Sequence, residues 1–147
     1  MVEFLNTIDV EHDSDVLAQG SAWRQWTAER GLHPDSLLDA RAARTALRAA
    51  VGDPDSARAH LGVALRVELS TAGPALVATS AVGAVLAAAA RLAVLGDWKR
   101  LKICPADDCR WAFYDQSRNR SRTWCSMRVC GNREKARAWR QRAHTSE

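Results

Sequence analysis

The chain has 147 residues and a formal net charge of +4, from 21 Lys and Arg against 17 Asp and Glu. Such a length suits one ordinary domain or a domain with a small appendage, and the mixed charges, 26% of residues, exclude wholesale disorder. Of the 69 hydrophobic residues 27 are Ala, and Leu, Ile, Val and Phe together number only 29; the core is expected to be thin and mostly helical, because Ala favours helix and fills little volume.

Segment 4–8, Phe4-Leu5-Asn6-Thr7-Ile8, predicts a short strand or a turn. An acidic loop, residues 9–15, follows. Over residues 16–30, Val16, Leu17, Ala22, Trp23 and Trp26 recur at helical spacing, with Gly31 placed to end the helix. Pro34, Asp35 and Ser36 start a second helix whose expected buried side is Leu37, Leu38, Ala42, Leu47 and Val51. Gly52, Asp53 and Pro54 stop it, and Asp55 or Ser56 can cap a short third helix reaching Leu61. Residues 64–69 alternate apolar with charged, and residues 75–78 are β-compatible beyond a Thr-Ala-Gly-Pro turn, which predicts a β-hairpin. Residues 81–95 are Ala-rich and apolar nearly all round, the expected central helix. This is also the longest apolar run. Arg91 interrupts it, and no stretch reaches the 18 residues of a membrane span. An acid at position 3 and the lack of a basic, then apolar leader predict a cytoplasmic protein.

Charge is segregated along the chain. Residues 1–97 carry 8 Lys and Arg against 12 Asp and Glu, a net of −4; residues 98–147 carry 13 against 5, a net of +8. All four cysteines and four of the six tryptophans lie in the second part. The expected division is therefore a mostly α-helical N-terminal domain with a small β-hairpin, residues 1–97, and a small Cys-bearing domain, residues 98–147, together an α+β chain.

The first part shows no convincing chemistry. His12 among Asp9, Glu11, Asp13 and Asp15 is read as a solvated acidic loop, and Trp23 with Trp26 as core anchors before a ligand platform. No Ser/His/Asp arrangement, phosphate loop or catalytic carboxylate pair stands out, so an enzyme is not expected. Nor does any residue pattern there specify a small-molecule effector.

Cys104-x4-Cys109 and Cys125-x4-Cys130, fifteen residues apart, match a tetrahedral zinc site, each pair letting one turn offer two thiolates. Two disulfides are the alternative, disfavoured by a reducing compartment, and the spacing is not the Cys-x-x-Cys of thioredoxin-type chemistry. Four thiolates close the coordination sphere, so one structural Zn²⁺ is expected, not a catalytic one. Fifty residues bearing 13 cations bury little apolar surface, and a structural zinc contributes on the order of 10 kcal/mol to folding. A strand near Leu101 and Ile103, a second over residues 111–115 whose aromatics cover the metal, and a basic loop over residues 117–122 are expected. A helix then runs from Ser126 or Asn132 to about Arg142. On it Arg133, Arg137 and Arg140 share a 60° arc beside Ala136, Trp139 and Ala143, which predicts packing through Trp139 with an arginine ridge outward.

Cys104, Cys109, the Trp111/Phe113/Asp115 run, Ser117-Arg118-Asn119, Arg122, Trp124 to Met127, and Cys130-Gly131-Asn132-Arg133 with Lys135 resemble the CGNR zinc finger. The Phe4-Leu5-Asn6-Thr7 segment, the Trp-bearing helix ending at Gly31-Leu32 and the hairpin before the Ala-rich helix are similar, more loosely, to the N-terminal domain that accompanies this finger in bacterial stress-induced transcription regulators. Members carry a few more residues ahead of that segment, so either an incomplete first strand or a late start site is expected. The resemblance implies a treble-clef or ribbon-like finger in a zinc-binding, nucleic-acid-binding regulator. Arg118, Arg120, Arg122, Arg133, Arg137 and Arg140 are the candidate DNA contacts; six phosphate contacts on duplex DNA correspond to a slope of log K against log salt near −5. RNA, stacked on Trp111, Phe113 and Tyr114, is an alternative. A protein–protein module, docking for example on the acidic part of a second copy, is another, and a homodimer would double a weakly specific finger.

Overall fold

The computed structural model describes residues 1–145 as helices and three separate two-stranded antiparallel sheets. Segment 2–5 is a helical turn, α1 (Val2–Leu5), overlapping the start of residues 4–8, for which the sequence predicts a short strand or a turn. Its amides bond back to Met1 and Val2, and the bend seats Phe4 against Trp23 and Trp26, with ring centroids 6.0 and 6.1 Å away. The expected acidic loop is pinched into a small hairpin, β1 (Ile8–Asp9) with β2 (Ser14–Asp15). Asp15 then accepts Leu17 N–H at 2.7 Å and caps a 3-10 turn, Val16–Ala18. The Trp-bearing helix is correspondingly shorter than expected, α2 (Gly20–Ala28). Trp23 is fully buried, its indole N–H donates to Asp35 O at 2.9 Å, and it stacks on Trp26 at 5.3 Å; this is a core anchor.

Helix α3 (Leu37–Ala50) starts at Ser36, whose hydroxyl accepts Asp39 N–H. Its buried face is Ala40, Ala43, Arg44, Leu47 and Arg48; Leu38 and Ala42, expected inside, are exposed. The helix is rotated because two arginines have partners inside the fold. Arg44 forks onto Asp15 at 2.5 and 2.7 Å. Arg48 donates to Asp53 at 2.6 Å, Leu5 O at 2.9 Å and Arg110 O at 2.9 Å.

The short helix expected over residues 55–61 does not form: residues 56–65 have no regular secondary structure. Arg48 Nε and the Ser56 hydroxyl both donate to one Asp53 carboxylate oxygen and Asp55 N–H donates to the other, so the candidate cap Ser56 is tied back to Asp53 instead of starting a helix. The expected hairpin does form, β3 (Arg66–Ser70) with β4 (Gly73–Val77), and all of β3 is exposed. Helix α4 (Ala81–Val94) is capped by Ser80, contacts α3 and buries Ala81, Val82, Gly83, Val85 and Ala89; Val94 and Leu95 are exposed, so it is central at one end only.

A 3-10 turn, Trp98–Arg100, leads from α4 into β5 (Leu101–Ile103), which pairs with β6 (Ala112–Tyr114). Contacts cross the composition boundary at residues 97 and 98. The Asn6 side chain brackets the Ala112 backbone, donating to its O at 2.9 Å and accepting from its N–H at 2.7 Å. Leu101 and Ala112 belong to the same hydrophobic cluster as Phe4, Trp23, Leu47 and Val82. Beyond the hairpin, a π-helical turn, Met127–Gly131, runs into α5 (Asn132–Thr145). No helix among the described residues is long and apolar enough to cross a membrane.

Candidate metal centre and its basic surroundings

The β5–β6 hairpin holds the first cysteine pair at its tip. Cys104 N–H donates to Trp111 O at 2.9 Å, closing the ladder just below the turn, and Cys109 N–H and Arg110 N–H both reach Ala106 O. Arg110 adopts a left-handed backbone, φ 52°, which turns the chain back toward β6. The second pair is set by Ser126, whose hydroxyl accepts Val129 N–H and whose carbonyl accepts Gly131 N–H. That places Cys130 in the π-helical turn, facing the first pair. A Cβ at Gly131 would lie 2.5 Å from Met127 Sδ and 3.1 Å from Trp124 Cδ1, so a side chain there would crowd the turn that carries Cys130.

All four Sγ atoms lie within 4.8 Å of one another, with Cys109–Cys125 and Cys125–Cys130 at 3.5 Å. Tetrahedral Zn–S bonds of about 2.3 Å put thiolates about 3.8 Å apart. An all-sulfur set of this size fits Zn²⁺. The electrostatics agree. Burial pushes the Cys109 thiol up to about 11, and burial, then the neighbouring thiols of Cys109 and Cys130, push Cys125 well above its ordinary value. At Cys104 burial is outweighed by the backbone N–H groups of Cys125 and Ala106, and its pKa is lowered. Four thiolates cannot share this volume without a dication to balance them, and a bound metal displaces the protons. Three of the four cysteines, with Ala106 and Phe113, form a buried cluster of their own, and Phe113 is the aromatic that covers the metal side. Trp111 is 37% exposed and lines the cavity beside Cys109, Cys125 and Cys130.

Asp115, fully buried at the end of β6, ties the basic loop to this platform. It accepts from Lys102 Nζ at 2.7 Å, Ser117 N–H at 2.9 Å and Arg122 N–H at 2.9 Å. Those donors, Lys102 first, hold its carboxyl far below the usual range. Lys102 Nζ also donates to the carbonyls of Arg120 and Arg122.

The six arginines marked from the sequence have three different surroundings. Arg122 lies over Phe113, 5.1 Å from the ring centroid, and donates to Trp124 O and Cys125 O, so it braces the second knuckle. Arg133 pairs with Glu11 at 3.1 Å and Asp108 at 3.3 Å; Arg137 pairs with Asp108 at 3.2 Å and Glu134 at 2.5 Å. Arg118, Arg120 and Arg140 are exposed; Arg120 reaches Gly96 O and Asp97. Helix α5 is thus turned the opposite way from the expectation. Arg133 and Arg137 face Asp108 and the acidic hairpin, and Trp139, predicted to pack inward, is 66% exposed. Opposite charge decides the rotation, since a helix this poor in large apolar residues gains little by burying one indole. Sequence reasoning misses Lys102, Asp108 and Arg128; for Asp108 the signal is only its place inside the first cysteine pair.

The geometry defines a class of protein: a small helical fold onto which a four-cysteine zinc module is docked through its β-hairpin. Residues 100–143, just under a third of the chain, match the family model of the CGNR zinc finger. None of the curated proteins searched matches the chain.

Proposed function

We propose that the protein binds duplex DNA through the outer face of its zinc module and acts in transcription regulation. The carrying observation is the outward surface of α5. Trp139 stands exposed there, flanked by Lys135 and Arg140, and Arg128 precedes it on the π-helical turn. Together with Arg118 in the loop, these four cations are exposed and make no ion pair among the described residues. A rigid helix edged by cations supports phosphate contact, and an exposed indole beside them supports packing against sugars or bases. Cys130 anchors the start of that helix, and the ion pairs of Arg133 and Arg137 fix which face turns outward; no reacting group is needed.

Four phosphate contacts correspond to a slope of log K against log salt near −4, shallower than six would give, because Arg122, Arg133 and Arg137 are engaged within the fold. Fluorescence anisotropy with duplex DNA, single-stranded DNA and RNA over a salt series tests the reading. Duplex binding with that slope, weakened by Lys135→Ala/Arg140→Ala without loss of zinc, is the expected outcome. Failure to bind any nucleic acid at low salt overturns it, and preference for RNA replaces the duplex with a single strand or folded RNA.

A further inference from the structure

The β3–β4 hairpin stands out from the rest of the fold. Two strands alone are marginal in water, and this pair carries three large exposed apolar side chains: Val67, Leu69 and Leu76, the first two 64% and 82% exposed. The register pairs Val67 with Leu76 and Leu69 with Pro74, so these four residues share one face of the sheet. Arg66 and Glu68 lie on the other face and pair with each other within the strand.

The two edges of this hairpin differ. The two-residue turn, with Gly73 at φ +106°, closes on the Ser70–Gly73 pair. Pro74 has no N–H to donate, which places the Leu69–Pro74 pair among the non-hydrogen-bonded ones. By alternation the backbone groups of Val67 and Leu69 point away from β4, into solvent. On the β4 side the outward position at 74 is a proline, which blunts that edge. The edge of β3 has no such block, and all five of its residues are exposed.

We propose that β3 pairs antiparallel with β3 of a second copy of this chain, across a two-fold axis at Val67. The charge pattern selects this register. Centring the axis on Val67 sets Arg66 of each copy opposite Glu68 of the other, Val67 opposite Val67, and Leu69 beside Leu65. Moving the axis to Glu68 or to Arg66, a slide of two residues, sets Glu68 against Glu68 or Arg66 against Arg66, with like charges directly opposed. The chosen register is also the one in which Val67 N–H and C=O meet their own symmetry mates and Leu69 N–H meets Leu65 C=O, so every outward backbone group of the strand centre finds a partner. The result is a four-stranded sheet with β4 strands at its blunted edges, an isologous interface that closes on itself. In it the Arg66–Glu68 pairs within each strand become a four-membered charge cluster.

Sedimentation velocity of the zinc-loaded full chain, without nucleic acid, tests this apart from the DNA reading. The wild type is expected to be a dimer at high micromolar concentration. Arg66→Glu alone and Glu68→Arg alone each put like charges face to face and are expected to weaken the dimer about ten-fold or more. The double exchange, Arg66→Glu with Glu68→Arg, restores it. Hydrogen exchange gives a second readout: the Val67 and Leu69 amides are protected at high concentration and exchange freely on dilution, whereas the Arg66 and Glu68 amides, bonded to β4, are slow at both. A monomer at high concentration, a double exchange that fails to rescue while zinc content and circular dichroism stay native, or Val67 and Leu69 amides indifferent to concentration overturns the proposal.

Discussion

Arg48 shows how a charged residue can act as a core residue in a small fold. Its side chain is 4% exposed, and the guanidinium meets Asp53, the Leu5 carbonyl and the Arg110 carbonyl, joining α1, α3 and the first knuckle. Burial by itself would raise the Asp53 pKa, but the Arg48 hydrogen bond and charge outweigh it and hold the carboxyl below its ordinary value; Arg110, 3.8 Å away, adds to this charge. Removing one member of such a pair leaves the other buried and uncompensated. Arg48→Met is therefore expected to cost about 3–5 kcal/mol in urea unfolding at neutral pH. The sign with pH follows from linkage. A depressed folded pKa contributes stability that is present above the unfolded value, near 3.9, and is lost as pH falls through the folded value. The gap between wild type and variant is thus widest at neutral pH and narrows below about pH 4. An equal gap at pH 7 and pH 3 would mean that packing of the Arg48 stem, not its charge, carries the effect.

At the scale of elements, what the sequence discloses depends on whether an element's reasons are local. Ser36 marks the start of α3, the Ala-rich run marks α4, the 64–69 alternation marks β3, and the two cysteine pairs mark the turns that hold them, because each signal lies within a few residues of its consequence. The buried side of α3 is not legible, since Arg44 turns inward only because Asp15 waits 29 positions away. The rotation of α5 is hidden for the same reason: Glu11 lies 122 residues from Arg133. Residues 55–61 fail as a helix because Ser56, a candidate cap, gives its hydroxyl to the Asp53 carboxylate that Arg48 holds in place. The same contrast predicts how zinc removal spreads. The β5–β6 hairpin is held to the body by Asn6, Arg48, Leu101 and Ala112, whereas α5 is anchored through Cys130 and surface ion pairs. A helix of this length with little apolar surface is marginal by itself. Chelation is expected to release amide protection in the second knuckle and α5, with loss of helical signal at 222 nm equivalent to one 14-residue helix, while the amides of β5 and β6 stay slow. Hydrogen exchange followed by mass spectrometry, with and without chelator, reads both halves of that outcome.

For the whole molecule, the charge split along the chain has become a split between two faces of one helix. Four thiolates with one Zn²⁺ add −2 to the +8 of residues 98–147, leaving the zinc module near +6 against −4 in the body. Part of this is neutralised internally: Glu11 and Asp108 occupy Arg133 and Arg137 on the inner face of α5, and the outer face keeps its cations in water. These carboxylates stand where phosphate oxygens would otherwise pair with the same two arginines. If the module binds DNA as proposed, they compete with it, and their removal has a defined signature. Glu11→Gln with Asp108→Asn frees both guanidiniums from the cross-element acids, leaving Arg137 its Glu134 partner. The expected result is tighter duplex binding at low salt and a slope of log K against log salt steeper by about 0.9 to 1.8, one unit of 0.9 for each arginine that reaches a phosphate. Zinc content and the thermal transition measured beside it separate this from a loosened knuckle, because Asp108 lies next to Cys109 in the chain. A steeper slope with zinc retained means that the acidic hairpin sets the affinity of the finger. An unchanged slope would assign Arg133 and Arg137 to holding α5 in place, and would leave nucleic-acid contact to the outer cations and Trp139.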